Sequence, residues 1–100
     1  MPAEQTPVRP PWFDPRMPAR HDCVLKALLE DRARRFPDRR LALFEDGSEW
    51  SYSEGVERVR RRAAALQRLG VRKGDRVAAW LPNGPELVVT WFAINWLGAV

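Results

Sequence analysis

The first segment with a regular hydrophobic pattern predicts a helix from about Cys23 to Phe36. Its apolar positions recur three or four residues apart, as one face of a helix requires. Asp22 stands where a helix cap is expected, and Pro37 follows where the helix has to stop. The apolar positions are Leu25, Leu28, Leu29, Ala33 and Phe36, together with the aliphatic stem of Arg32.

A hairpin and a second helix are predicted next. A strand over Arg40–Phe44, a tight turn at Asp46–Gly47 and a returning strand over Glu49–Ser51 form the hairpin. Ser51 and Glu54 have the spacing of a capping box, so the second helix is expected to begin at Tyr52. Its apolar face is expected to consist of Val56, Val59, Ala63, Leu66 and Leu69.

The second helix is expected to end at Gly70, where a left-handed residue is needed. The polar residues 71–76 then form a connection with a turn at Gly74–Asp75. The continuous apolar run Val77–Leu81 is too short for a helix and is typical of a strand covered on both faces. Residues 82–85 interrupt the pattern, and a third helix is predicted from Glu86 to about Leu97.

The third helix is apolar in almost every direction around its axis, which indicates a buried helix. It is too short to span a membrane, which takes about 20 apolar residues. Two short helices and about three strands are too few to surround it. The pattern therefore predicts the beginning of a larger α/β domain, interrupted at Val100 just as a new strand starts at Gly98, with an apolar patch that makes the fragment associate in solution.

Composition narrows the classes of function. The 100 residues are 45% hydrophobic and 30% charged, which is typical of a globular chain, and the net charge is +4. Basic and acidic residues are interspersed, so we interpret the surface as mixed in charge and expect no nucleic-acid partner. Cys23 is the only cysteine, which excludes an intrachain disulfide and a zinc cluster, and His21 is interpreted as a surface residue.

Most of the prolines lie before residue 20, and no secretory signal is present there. We therefore divide the chain into a Pro-rich extended arm, residues 1–22, and the start of a folded domain, residues 23–100. A cytoplasmic protein without a transmembrane segment is expected.

Candidate chemical sites each have a structural alternative that we favour. Asn83–Gly84 between a strand and a helix suggests a phosphate loop, but Pro82 and Pro85 remove two amides, and a structural turn is the better interpretation. Two arginine clusters could bind phosphates, but their spacing favours a solvated face. The carboxylate pairs Glu30/Asp31 and Glu45/Asp46 are expected to be exposed. The clusters are Arg32, Arg34, Arg35, Arg39 and Arg40, and Arg58, Arg60, Arg61 and Arg62.

The five tryptophans are expected to belong mainly to the core rather than to a ligand cage, because three lie in the apolar strand and third helix. They are Trp12, Trp50, Trp80, Trp91 and Trp96.

Four stretches in this order, ARRFPDRRLAL, EDGSEWSYSE, LQRLGVRKGDRVAAWLPNGPELV and WFAINWLGAV, resemble the amino-terminal part of the AMP-forming adenylating enzymes. These include acyl- and aryl-CoA synthetases, the adenylation domains of peptide synthetases, and beetle luciferase. The most specific piece is Leu69–Val77 followed by Leu81–Asn83 and Glu86, and the resemblance covers about Val24 to Val100. Trp91–Ala93 resembles the acyl-CoA ligase branch. Gly55 replaces a larger apolar residue of the family and is expected to weaken packing there.

The resemblance implies a ligase that uses ATP and Mg²⁺ to convert a carboxylic acid to an acyl-adenylate and then to a coenzyme A thioester. The family's Ser/Thr/Gly-rich loop, its Pro-Lys-Gly element and its late lysine have no counterpart here, and Lys26 and Lys73 match none of them. We therefore expect no catalytic, cofactor-binding or metal-binding residue in this segment. The fragment is expected to be inactive alone and to need the rest of the same polypeptide.

Two alternatives remain open at this point. The chain could be a small non-catalytic α/β module that docks on a partner protein through its apolar third helix. It could also be a basic nucleic-acid-binding domain, whose binding would weaken steeply with salt.

Overall fold

The computed structural model describes residues 10–100 and contains the helices and the hairpin that the sequence predicts. Of the predicted arm over residues 1–22, residues 1–9 lie outside this described part. The helices pack on one another and the hairpin packs on the second of them, which makes a small α/β unit. The elements are a 3₁₀ helix over Arg20–Cys23, α1 over Leu25–Arg35, β1 over Arg40–Leu43, β2 over Glu49–Ser51, α2 over Tyr52–Arg68 and α3 over Pro85–Trp96.

The beginning of α1 differs from the prediction. The helix starts at Leu25, and its N-cap is Val24, which offers no side-chain cap. The prediction that Asp22 caps this helix is therefore wrong. The reason is that Arg20–Cys23 already forms a 3₁₀ helix, and the chain returns to an extended conformation at Val24 before α1 starts. At its other end, the helix stops before the proline as predicted, with Phe36 as its C-cap.

The hairpin forms as predicted, with β1 and β2 antiparallel. Trp50 of β2 pairs with Ala42 of β1 and is buried. Its ring packs edge-on against Phe44, with 4.7 Å between the ring centroids. The N–H of Gly47 donates to the carbonyl of Phe44 at 2.9 Å and closes the turn. The hairpin thus directs one large aromatic side chain towards α2.

Both ends of α2 are formed by local hydrogen bonds. The Ser51 hydroxyl accepts the Glu54 N–H at 3.1 Å, as predicted, and donates to the Glu54 carboxylate at 3.2 Å. At the far end, the N–H of Gly70 donates to the carbonyl of Gln67 and that of Val71 to the carbonyl of Leu66. These two bonds define a Schellman motif, which needs a left-handed residue at position 70, and Gly70 has φ 100°.

The core lies between α2, α3 and β2. Leu69, which the sequence places on the apolar face of α2, is 82% exposed, so that part of the prediction is wrong. By helical geometry Leu69 lies about 80° around the axis from Val59, which carries it away from α3. The buried residues that contact one another are Trp50, Val59, Ala63, Val89 and Ala93.

Gly55 brings β1 close to α2 rather than weakening the packing, which corrects the expectation from the sequence. The residue is buried, and a β-carbon at this position would collide with the side chain of Leu41. The absence of a side chain therefore lets Leu41 rest directly on the backbone of the first turns of α2.

The connection between α2 and α3 begins a parallel pair of chain segments. The N–H of Val100 donates to the carbonyl of Asp75, and the N–H of Val77 donates to the carbonyl of Val100, both at 2.7 Å. Val100 thus bonds to the two residues on either side of Arg76, which is the hydrogen-bond pattern of parallel strands. Helix α3 lies in the connection between the two paired segments. The structure assigns no strand to the predicted Val77–Leu81 segment or to the new strand predicted to start at Gly98; the parallel pairing is limited to Val100 beside Asp75–Val77.

The remainder of the predicted Val77–Leu81 strand pairs with nothing in the described part of the chain. Trp80 is 100% exposed, so the expectation of a strand covered on both faces is wrong for this structure. Helix α3 forms within one residue of its predicted ends, but Trp91 is 59% exposed. The predicted burial of the tryptophans holds fully only for Trp50. Within residues 10–100, no helix has the length and apolar character needed to cross a membrane.

We predict that the effect of Gly55→Ala on stability depends on Leu41. Alanine favours a helix over glycine by up to about 1 kcal/mol, but its β-carbon displaces Leu41. In a Leu41→Ala background that conflict is gone, so Gly55→Ala should be more favourable there by about 1 kcal/mol than in the wild type. Urea unfolding followed by circular dichroism measures both effects. Equal effects of Gly55→Ala in the two backgrounds would contradict the close approach of the Leu41 side chain to Gly55.

Candidate functional site

The segment from Leu81 to α3 is the place where the sequence suggested an anion site. Gly84 has φ 151° and ψ −167°, a conformation open essentially only to glycine, and Pro85 occupies the first position of α3. Pro82 and Pro85 have no amide hydrogen, so few free N–H groups surround this helix start. The local backbone is that of a tight turn, which agrees with the interpretation of Asn83–Gly84 as a structural turn rather than a phosphate loop.

The electrostatics beside this turn oppose phosphate binding. A cavity of about 330 Å³ separates the hairpin turn from the start of α3, and two carboxylates, Glu45 and Asp46, line it. Hydrogen bonds from the hydroxyl and the N–H of Ser48 lower the pKa of Asp46 and favour its charged form. A phosphate in this cavity would therefore meet negative charge.

Arg62 joins α2 to the first turns of α3. Its Nη2 donates to Oε2 of Glu86 at 2.6 Å, and its Nη1 donates to Oγ1 of Thr90 at 2.8 Å. The Arg62 side chain is 34% exposed, so solvent screens this ion pair less than one between fully exposed residues. We call this contact of Arg62 with Glu86 and Thr90 the clamp. It lies at a cleft of about 260 Å³ that Trp50 and Arg58 also line.

The sequence did not identify this clamp. Arg62 belongs to a run of arginines that resembles a solvated face, and nothing in the run distinguishes it from its neighbours. The available signal was on α3, where Glu86 and Thr90 lie four residues apart on the one polar side of a helix that is otherwise almost wholly apolar.

The first arginine cluster is dispersed among protein partners. Arg34 and Arg35 both pair with Asp31, and the guanidinium carbon of Arg39 lies 4.2 Å from the centroid of the Phe36 ring. Arg40 of the hairpin pairs with the neighbouring strand, at 2.8 Å from the Glu49 carboxylate.

The second cluster is dispersed in the same way along α2. Arg60 lies 3.7 Å from Glu30 of α1, and Arg61 pairs with Glu57 one turn away. The guanidinium carbon of Arg58 lies 5.0 Å from the centroid of the Trp50 ring. These contacts support the interpretation of both clusters as polar faces rather than as a single phosphate-binding surface.

The acidic pairs give no acid–base site. Glu30 faces Arg60 and Asp31 faces two arginines, whereas Glu45 is exposed in the hairpin turn. The Cys23 thiol is exposed and lies within weak hydrogen-bond distance of the backbone carbonyls of Pro18 and Ala19. Among residues 10–100, no group of three or more His, Cys, Asp or Glu side chains is arranged to hold a metal ion.

Comparison with known proteins gives a consistent result over most of the chain. The family model described as AMP-binding enzyme matches residues 29–100. The chain is 44% identical over 82 residues to a salicyl-AMP ligase / salicyl-S-ArCP synthetase of Mycobacterium tuberculosis. It is 36% identical over 77 residues to a long-chain-fatty-acid–CoA ligase of Bacillus subtilis. Each alignment covers 77% of this chain.

The fold agrees with these alignments. The N-terminal subdomain of NpsA from Klebsiella oxytoca superposes with a TM-score of 0.72 at 35% sequence identity, covering 77% of this chain and 20% of that one. The chain spans 14% of the length of the two curated relatives named above. What is matched is therefore a small α/β piece of a much longer polypeptide in those relatives.

We predict that Arg62 and Glu86 are energetically coupled. In a double-mutant cycle of Arg62→Met and Glu86→Gln, the coupling should reach up to about 1 kcal/mol, because Arg62 is partly covered and the pair joins two helices, while the 66% exposure of Glu86 limits the gain. The matched control is Arg61→Met with Glu57→Gln, an exposed pair within α2 for which about 0.3–0.5 kcal/mol is expected. Urea unfolding gives both values. A coupling at Arg62 no larger than that of the control would contradict its role as a clamp.

Proposed function

This chain belongs to the AMP-binding enzyme family, and from that premise we propose that it is the amino-terminal scaffold of an ATP-dependent acid–thiol ligase. The observation that carries the proposal is the match of residues 29–100 to the family model, together with the superposition on an N-terminal subdomain of an adenylating protein. In the proposed reaction, a carboxylic acid and ATP give an acyl-adenylate and pyrophosphate. Coenzyme A then takes the acyl group and AMP is released.

Within the residues that the structure describes, we propose no site for ATP, Mg²⁺ or coenzyme A. Its turn before α3 faces carboxylates, and most arginines of the two clusters pair with carboxylates or lie over aromatic rings. Among residues 10–100, no group of three or more metal-ligating side chains is formed. We therefore assign no reacting group to this chain. Its proposed role is to hold the start of a parallel sheet, Asp75–Val77 beside Val100, against the core of α2 and α3.

The proposed substrate is a fatty or related acyl acid, and the proposed location is the cytoplasm, where ATP and coenzyme A are both available. The fatty-acid ligase at 36% identity and the resemblance of Trp91–Ala93 to the acyl-CoA ligase branch support this choice.

A second candidate is an aryl acid transferred to the thiol of a carrier protein. It is favoured by the higher identity, 44%, to the salicyl-AMP ligase / salicyl-S-ArCP synthetase. The two candidates share the adenylation step and differ in the acid and in the thiol that accepts the acyl group.

The test uses the polypeptide encoded by the whole reading frame that contains these residues. We expect it to exchange labelled pyrophosphate into ATP in the presence of an acid, and we expect the 100-residue chain alone to give no exchange. A panel of fatty and aryl acids identifies the substrate, and coenzyme A is compared with a carrier protein as acceptor. Absence of exchange with every acid, from a folded protein, would refute the adenylation.

A control variant tests the scaffold role within the same protein. Val59 is 1% exposed in the core, so Val59→Asp should unfold this region and abolish exchange. Arg34→Ala removes an exposed ion pair on α1 and should leave exchange unchanged. Normal exchange by the Val59→Asp protein would show that the segment is dispensable.

A further inference from the structure

The turn before α3 contains an asparagine, Asn83, followed directly by Gly84. Asparagine is a thermally labile residue, because the backbone nitrogen of the next residue can attack its side-chain amide. The attack is fastest when that next residue is glycine, since no β-carbon shields the nitrogen. The pair of residues that forms this structural turn is therefore also the most reactive sequence that an asparagine can have.

Both reacting groups of this pair are open in the described part of the chain. Asn83 is exposed, and within residues 10–100 its side-chain amide forms no hydrogen bond. Within the same residues, the N–H of Gly84 donates to no acceptor. A β-carbon built on Gly84 would meet no atom within 4 Å, so the space beside its backbone is empty. The nitrogen of Gly84 is therefore free to approach the side-chain carbon Cγ of Asn83.

The fold requires a glycine at position 84. The residue has φ 151° and ψ −167°, which a residue with a β-carbon adopts only under strain. Gly84 is also the N-cap of α3, whose first residue is Pro85. A larger residue would shield the nitrogen and protect Asn83, but it would disturb the start of the helix. The reactivity of Asn83 thus follows from the shape of this turn.

The hairpin turn contains a comparable pair, Asp46–Gly47, whose groups are held by hydrogen bonds. Oδ1 of Asp46 accepts from the N–H of Ser48 at 2.9 Å and from its hydroxyl at 2.6 Å. The N–H of Gly47 donates to the carbonyl of Phe44 at 2.9 Å. Attack of the Gly47 nitrogen on the Asp46 side chain would require these bonds to break. The two turns therefore contain similar sequences but differ in protection.

We propose that Asn83 is a site of spontaneous deamidation, in which Gly84 supplies the attacking nitrogen, and that the hairpin turn is protected from the corresponding reaction. Once a base from solution removes the amide proton of Gly84, its nitrogen forms a bond with Cγ of Asn83. The bond between Cγ and the side-chain nitrogen breaks, and that nitrogen leaves as ammonia after taking a proton from water. Water then opens either carbonyl of the succinimide ring, which leaves aspartate or isoaspartate at position 83. The reaction needs no enzyme and is independent of the proposed function.

Both products change the cavity between the hairpin turn and α3. A carboxylate at position 83 joins those of Glu45 and Asp46, which already line this cavity. Isoaspartate also adds a carbon atom to the backbone directly before the N-cap of α3. Deamidation therefore places like charges together and, in the isoaspartate product, changes the spacing between the turn and the helix.

The test follows deamidation of the 100-residue chain at mildly alkaline pH. One sample is kept folded, which circular dichroism verifies, and another is unfolded in guanidinium chloride. Peptide mapping by mass spectrometry distinguishes Asn83 from Asn95, and methylation by a protein isoaspartyl methyltransferase detects the isoaspartate product. Asp46→Asn is the matched control, because it places an Asn–Gly pair in the hairpin turn. Asn83→Gln should abolish the reaction at position 83.

We expect folding to slow the deamidation of Asn83 by less than about fivefold, because the folded chain leaves both reacting groups open. In the Asp46→Asn protein, folding should slow the reaction of the hairpin pair at least about tenfold, because hydrogen bonds hold its groups. Asn95 should stay unmodified in the folded chain, since its Nδ2 donates to the carbonyl of Trp91 at 2.9 Å within α3 and a bulky residue, Trp96, follows it.

Three outcomes would overturn this proposal. The first is that folding slows the deamidation of Asn83 by about fivefold or more. The second is that folding slows the two Asn–Gly pairs equally, which would remove the hydrogen bonds as the cause of protection. The third needs no variant and decides the matter if the Asp46→Asn protein does not fold: equal rates at Asn83 and Asn95 in the folded wild-type chain.

Discussion

The packing of α2 on α3 is the interaction on which the rest of this structure depends. Ala63 and Ala93 are both almost fully buried, and their small side chains allow the two helices to approach closely, while Val59 and Val89 fill the space beside them. Trp50 reaches this core from the hairpin, and α1 rests on both helices. Removal of this contact would leave the hairpin and α1 with little apolar surface to pack on.

Much of the fold could be predicted from sequence, because its elements end at residues whose effect is local. Ser51 caps α2, Gly70 closes it, and the proline after α1 stops that helix, each through the backbone within a few residues. Helix α3 was equally clear from its apolar run, although it begins at Pro85, one residue before the predicted start at Glu86. Two predictions failed, and each concerns a single turn. The predicted start of α1 was wrong because a 3₁₀ helix precedes it, and the predicted burial of Leu69 was wrong because the rotation of α2 carries this residue away from α3.

Tertiary features were harder to predict because they depend on distant partners. The role of Gly55 depends on Leu41, which belongs to another element, and a helix propensity takes no account of that neighbour. Arg62 differs from the arginines around it only because Glu86 lies opposite. The exposure of Trp80 reflects the same limit: an apolar run indicates that a strand is to be covered but does not identify the element that covers it. The expectation that no residue of this segment takes part in catalysis remains a prediction.

The contact between Arg62 and Glu86 also bears on the order in which the chain acquires structure during synthesis. The two residues are 24 positions apart, so the loop between them is short and its closure costs little entropy. At a synthesis rate of roughly 5–20 residues per second, Glu86 follows Arg62 out of the ribosome within a few seconds. The α2–α3 core is therefore available early as a nucleus. Trp80, which is fully exposed in this structure, lies in the loop between these two residues and stays exposed while the core forms.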